Sequence, residues 1–264
     1  MTTGGEPSVH AYGEDPAQFL ELTLPAGAAP APVVVVLHGG FWRARYGVEL
    51  ARPLAADLAS RGWAAVAVEY RRVGAGGGWP QTLQDVAAAL DVLPDLPQAG
   101  RLDLRTLAVV GHSAGGHLAG WAAGRGRLPE GAPGAGPRVA VTAAVLQAGV
   151  LDLEAAVEEH LGNGATVDFM GGRPDELAER YLTTDPVRLL PTGVPVLCVH
   201  GASDTTVPLE QSERFVAAAT DAGDAAELLV VPGDHSVVLD LTTPGWQDTV
   251  EWLSAHRTRT TLEP

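Results

Sequence analysis

The run Gly111-His112-Ser113-Ala114-Gly115 sets a serine between two glycines, after the apolar stretch Thr106–Val110 and before the small-residue stretch Ala114–Ala123. A serine hydroxyl becomes a nucleophile only when a base takes its proton and donors hold the oxyanion that follows. A strand that turns sharply into a helix forces strained backbone angles at Ser113 and lifts its hydroxyl above the sheet. The glycines remove the side chains that would clash there. The helix start then turns free N–H groups, that of Ala114 first, toward developing negative charge. Two later segments offer the partners. Asp204 follows the apolar run Val194–Val199 in a turn bounded by Gly201 and Pro208, and His235 follows Glu227–Val231 in Pro232-Gly233-Asp234-His235. A carboxylate that orients a histidine, which in turn deprotonates a serine, is the apparatus of acyl transfer. Asp234, Asp240 and Asp152 are rivals for the acid. Asp204 is preferred because a carboxylate adjacent in sequence rarely reaches its own histidine's ring, and a triad needs a third group that orients the base.

Other chemistry is narrowed by composition. All 17 basic residues are Arg, so lysine-based Schiff-base, P-loop and Ser–Lys mechanisms are excluded. Net charge is −15, which repels phosphate backbones and makes nucleic acid and anionic membrane surfaces poor partners. Cys198 is the single cysteine and sits in an apolar run, where it reads as a buried inert thiol. No His-Glu-x-x-His or clustered His/Asp spacing appears, so neither a catalytic metal nor another cofactor is expected. Residues 1–16 are polar and lack a signal-peptide core. The nearly apolar stretch Val139–Leu151 is too short to span a membrane, and a cytoplasmic protein is expected. His112 and His117 flank the elbow and are expected to pack beside it; His10, His160 and His256 read as surface residues.

The elements that must position these residues alternate along the chain. Ala31–Leu37 (APVVVVL), Trp63–Val68, Thr106–Val110, Val139–Leu146, Val194–Val199 and Glu227–Val231 read as buried strands. Pro53–Ser60, Gln81–Leu93, Ala114–Ala123, Leu209–Ala219 and Gln247–Ala255 read as helices. This rhythm predicts an α/β fold, a mostly parallel sheet with helices on both faces. At 264 residues the chain suits one domain, 1–264, with the long polar segment 151–190 inserted as a small cap above the sheet.

His38-Gly39-Gly40-Phe41-Trp42, Glu69-Tyr70-Arg71-Arg72, Gly76-Gly77-Gly78-Trp79-Pro80, the serine elbow, His200-Gly201-Ala202-Ser203-Asp204 and the final Gly233-Asp234-His235 together resemble the esterase and kynurenine-formamidase-like branch of the α/β-hydrolases. The resemblance covers roughly residues 32–252, and its chain order of nucleophile, acid and base is that of Ser113, Asp204 and His235. It implies an α/β-hydrolase fold and an oxyanion hole of backbone N–H groups from Gly40, Phe41 and Ala114, with Gly39 shaping the turn. His38 is expected to brace that loop. The sequence departs from the hormone-sensitive-lipase-like pattern in carrying Phe41 where a third glycine stands, and Ser236 where an aromatic is usual.

The activity so implied is hydrolysis of a small ester or amide through an acyl-enzyme, without a cofactor and with short acyl groups preferred. Phe41, Trp42, Trp79 and His112 are candidates for the pocket wall, and loop packing is the alternative for the tryptophans. Arg43 and Arg45, or Arg71 and Arg72, could clamp a substrate carboxylate, or be solvated or paired within the protein. Three functions stay open: carboxylesterase, arylformamidase acting on N-formylkynurenine, and a non-catalytic binding protein that keeps the pocket. The oligomeric state is not legible.

Overall fold

The computed structural model describes residues 5–257. The strands are β1 (Ser8–Ala11), β2 (Phe19–Thr23), β3 (Ala31–Leu37), β4 (Ala64–Val68), β5 (Leu102–His112), β6 (Ala143–Gln147), β7 (Val196–Gly201) and β8 (Ala226–Val231). They form one sheet in the order β1-β2-β4-β3-β5-β6-β7-β8. β1, β2 and β4 are joined antiparallel, and every pairing from β4 to β8 is parallel. The principal helices are α1 (Arg52–Ser60), α2 (Gln81–Asp91), α3 (Ala114–Gly124), α4 (Leu153–Glu158), α5 (Ala165–Met170), α6 (Ala178–Thr184), α7 (Glu210–Asp221) and α8 (Pro244–Ala255).

Period-two alternation divides the core. Val33, Val35 and Leu37 of β3 join α2 and α3 in one apolar layer, while Val34 and Val36 join α1 and α8 in the other. Burial on both sides is why APVVVVL reads as a continuous apolar run. β3 lies between β4 and β5, so the connections leaving its neighbours diverge there. Open α/β sheets bind ligands at such a switch point, outside the carboxyl ends of the strands. The HGGFW loop and the serine elbow both start at that edge.

Sequence periodicity missed β1 and β2, whose antiparallel pairing hides polar residues. Glu21 is buried on β2 because Arg52 grips it at 2.7 and 2.8 Å. The strand expected over Val139–Leu146 begins only at Ala143. Before it, Thr142 is still bonded to the carbonyl of Leu107, by its amide at 2.8 Å and its hydroxyl at 3.2 Å. Helix α8 starts three residues earlier than Gln247: Thr243 caps it by accepting from the Trp246 amide, and Pro244 fills its first turn. Residues 151–190 hold α4, α5, α6 and a 3₁₀ turn at Pro186–Leu189, with Tyr181, Phe169 and Met170 packed into the α3-side layer. No helix among the described residues is long and apolar enough to cross a membrane.

Candidate active site

Ser113 sits between β5 and α3 with φ 57° and ψ −119°. Such angles are costly for a residue with a Cβ, on the order of 1–3 kcal/mol, and persist only where the surroundings enforce them. Here the Ser113 amide donates to the carbonyl of Gln147 at 2.8 Å, and its own carbonyl accepts from His117 at 3.1 Å. The glycines are sterically required: a Cβ on Gly111 would fall 2.0 Å from the Gly115 carbonyl oxygen, and one on Gly115 would fall 2.1 Å from that of Leu37.

Asp204 and His235 come together because two loops touch. A Cβ on Gly201 would lie 2.3 Å from the Asp234 carbonyl oxygen, and the Ser203 amide donates to Gly233 at 2.9 Å. His235 Nδ1 donates to Asp204 Oδ2 at 2.7 Å. That fixes the tautomer and leaves Nε2 as the free base nitrogen. The Asp204 side chain is fully buried, and burial alone would raise its pKa. Hydrogen bonds from His200, His235 and the Val207 amide outweigh burial and hold the carboxyl well below the usual carboxylate range. The rival acids are engaged elsewhere. Asp234 accepts from the amide and hydroxyl of Ser236, Asp240 from those of Thr242, and Asp152 caps α4 through the Ala155 amide.

The HGGFW loop is pressed onto the elbow. A Cβ on Gly39 would lie 3.1 Å from Ser113 Cβ, and positive φ at Gly40, Phe41 and Trp42 curls the chain beside it. This brings Gly39, Gly40 and Phe41 alongside Ser113 and the first turn of α3, where Ala114 stands. His38 lies beneath: Nδ1 is 2.8 Å from the Gly39 carbonyl, Nε2 is 3.1 Å from Glu69 Oε1, and the ring stacks on Tyr70 at 4.3 Å. Glu69 also accepts from the amides of Tyr70 and Val48 and pairs with Arg72 at 2.9 Å. His112 donates Nε2–H to the His235 carbonyl at 3.0 Å, and burial pushes its pKa down to about 3, so it is a neutral tie between elbow and base loop.

Ser113 and His235 line one cavity of about 210 Å³, walled by Gly40, Phe41, Tyr46, Leu50, His112, Thr206 and Leu239. Of the four residues expected in the pocket wall, Phe41 and His112 are there, and Trp42 and Trp79 are not. Trp42 is buried, stacked on Phe169 at 4.7 Å, and donates Nε1–H to His117 Nδ1 at 3.2 Å. The reason is the turn: consecutive left-handed residues send Phe41 toward the cavity and the next side chain into the core. Trp79 packs against the α3-side core with the Arg180 guanidinium 4.2 Å over its ring. Tyr46, Leu50, Thr206 and Leu239 carry no sequence signal; only the fold brings them to the mouth. Arg43, Arg71 and Arg72 are paired with Asp168, Asp85 and Glu69, and Arg45 lies over the Tyr46 ring. Among the described residues, no group of His, Cys, Asp and Glu could hold a metal ion.

Residues 20–218 match the BD-FAE family. The esterase LipC of Mycobacterium tuberculosis is 30% identical over 223 residues, 78% of this chain and 53% of that protein. A probable isoprenylcysteine alpha-carbonyl methylesterase of Oryza sativa is 26% identical over 253 residues, 88% of this chain and 58% of that protein. The chain thus spans about half the length of these curated relatives. Among solved structures, a truncated carbohydrate esterase from gut microbiota superposes with TM-score 0.81 at 21% identity, over 98% of this chain and 97% of that one. Butyrate-bound esterase 2 of Thermogutta terrifontis superposes with TM-score 0.74 at 23% identity, over 95% and 92%. At these identities the structural likeness is one of fold, and the fold is that of the α/β-hydrolases. The chain belongs to the BD-FAE family of α/β-hydrolases.

Proposed function

We propose that the protein is a serine carboxylesterase acting on small esters with short acyl groups. One observation carries the reading: the buried Asp204 holds His235 by a 2.7 Å bond, and that histidine shares a cavity with a serine at a strained strand-to-helix elbow. In the proposed mechanism His235 Nε2 takes the Ser113 proton as the hydroxyl attacks the ester carbonyl. The amides of Gly40, Phe41 and Ala114 hold the oxyanion, with Gly39 setting the close approach. Asp204 stabilises the imidazolium, which then protonates the leaving alcohol. Water attacks the acyl-enzyme with His235 again as base. The esterase names of the relatives support ester over formamide substrates. The single buried cysteine suits a reducing compartment such as the cytoplasm.

Ser113→Ala should lower kcat on p-nitrophenyl acetate by about five to six orders of magnitude, as removal of a triad serine does. The reading fails if the variant keeps a tenth of wild-type turnover. A fluorophosphonate should label the wild type at Ser113 and leave the variant unmodified.

A further inference from the structure

Asp204 is held by more donors than a triad acid needs. Its Oδ1 accepts from the amides of Thr206 at 2.8 Å and Val207 at 3.0 Å. Its Oδ2 meets two imidazoles, His235 Nδ1 at 2.7 Å and His200 Nε2 at 3.2 Å. His200 lies on β7 and is completely buried. Its Nε2 also faces the Val207 carbonyl at 2.9 Å. Both neighbours of that nitrogen are acceptors, so it carries the proton. On the other side of the ring, Nδ1 is 2.8 Å from Ser212 Oγ on α7, and the hydroxyl donates to it. Cys198 lies two residues before His200 on β7, and burial keeps its thiol protonated. The titratable groups facing His200 are therefore Asp204 across the turn, His235 beyond that carboxylate, His112 from the elbow and Cys198 from β7.

We propose that His200 is a positioning residue of the triad: its Nε2–H, donated to the Val207 carbonyl, also stands 3.2 Å from the carboxylate oxygen that orients His235, and the Ser212 hydroxyl fixes the tautomer that allows this. The proposal rests on reading Ser113, Asp204 and His235 as a triad. Two physical effects follow. The second imidazole stops the buried carboxylate from rotating, so Oδ2 stays aligned with His235 Nδ1. It also draws electron density from Oδ2 and weakens the pull on the His235 proton. Without it that pull strengthens, the His235 imidazolium is stabilised, and the base stays protonated to higher pH. A histidine that merely filled space would have neither effect.

The test is kcat and KM on p-nitrophenyl acetate across pH for the wild type, His200→Gln, His200→Phe and Ser212→Ala, with thermal melts giving the folded fraction. Gln keeps an N–H near the position of Nε2; Phe keeps the ring and loses the donor. His200→Phe should lower kcat about 10–100-fold, as loss of a supporting hydrogen-bond partner does, with KM within about twofold. The acid limb of its kcat/KM profile should move to higher pH by about half a unit. His200→Gln should recover most of both. Ser212→Ala should shift the limb the same way by less, and it decides the matter if the Phe variant does not fold. The proposal is overturned if His200→Phe, or Ser212→Ala in its place, keeps the wild-type kcat and acid limb per folded molecule. An inactive wild type would sink the esterase reading instead. The His235 ring N–H proton resonance then decides: a downfield move in the same variant supports the proposal, and an unmoved signal overturns it.

Discussion

Three carboxylates lie close to His235 in sequence or space, and their hydrogen bonds separate them. Asp204 is buried and gives Oδ2 to the imidazole, whereas Asp234 and Asp240 are exposed and turn inward on Ser236 and Thr242. Asp204→Asn should therefore cut kcat by about ten thousandfold, because an amide in that place favours the wrong imidazole tautomer. Asp234→Asn and Asp240→Asn should stay near wild type; a larger loss in either would remove Asp204 from its role. The depressed pKa of Asp204 also has a stability consequence. A carboxyl whose folded pKa lies below its unfolded one contributes stability above about pH 4, and that contribution is lost as pH falls through the folded value. Ser113, Asp204 and His235 were legible in the sequence because each stands just past a strand with glycine beside it. His200 was not, since a histidine inside a strand looks like any core residue until its two ring nitrogens are seen to have partners.

Strands with both faces buried were legible as apolar runs, as β3, β4 and β5 were. β1 and β2 were not, because the Glu21–Arg52 pair places charge where a core residue was expected. The segment 151–190 read only as a long polar stretch, because its helices are too short for a helical period to show. One element there sets a liability. Asp185 follows α6, is fully buried, and gives Oδ2 to the Leu153 amide at 3.0 Å while Oδ1 has no partner. Burial raises its pKa well above the usual range, and Asp152 and Glu154 push the same way. A carboxyl raised in this way supports the fold at low pH, and the support is lost as pH rises through the folded value. Asp185→Asn keeps an acceptor for Leu153 and removes the buried charge. It should raise Tm at pH 8 by an amount equivalent to about 1 kcal/mol or more, and the gain should shrink toward zero near pH 4. A gain independent of pH, or a loss at pH 8, would show that charge burial is not what Asp185 costs.

At the scale of the whole molecule, the cavity lies at the carboxyl edge of the sheet, and segment 151–190 meets it only through the loop that carries Phe41. Arg43, one residue after the HGGFW loop, reaches Asp168 on α5 at 3.0 Å, which ties this loop to that segment. Phe41 is wedged between them: a Cβ on Gly162 would fall 2.4 Å from its ring. The phenyl thus occupies space beside the reacting carbonyl that a glycine would leave open. The resulting cavity of about 210 Å³ is smaller than the roughly 300–1,000 Å³ common for ligand sites. Leu50 and Leu239 make its wall apolar, which suits an alkyl chain, and the proposed short-acyl preference requires Phe41 to limit how far that chain extends. Each methylene accepted or refused is worth only about 1–3 kcal/mol, so the preference should be graded, not absolute. Across p-nitrophenyl esters from acetate to decanoate, kcat/KM should peak at the short end and fall steadily. Phe41→Gly should move the peak to longer chains while Ser113 still reacts with a fluorophosphonate at the wild-type rate. A wild-type maximum at octanoate or beyond would mean that Phe41 moves aside when substrate enters, and that this cavity does not set the acyl length.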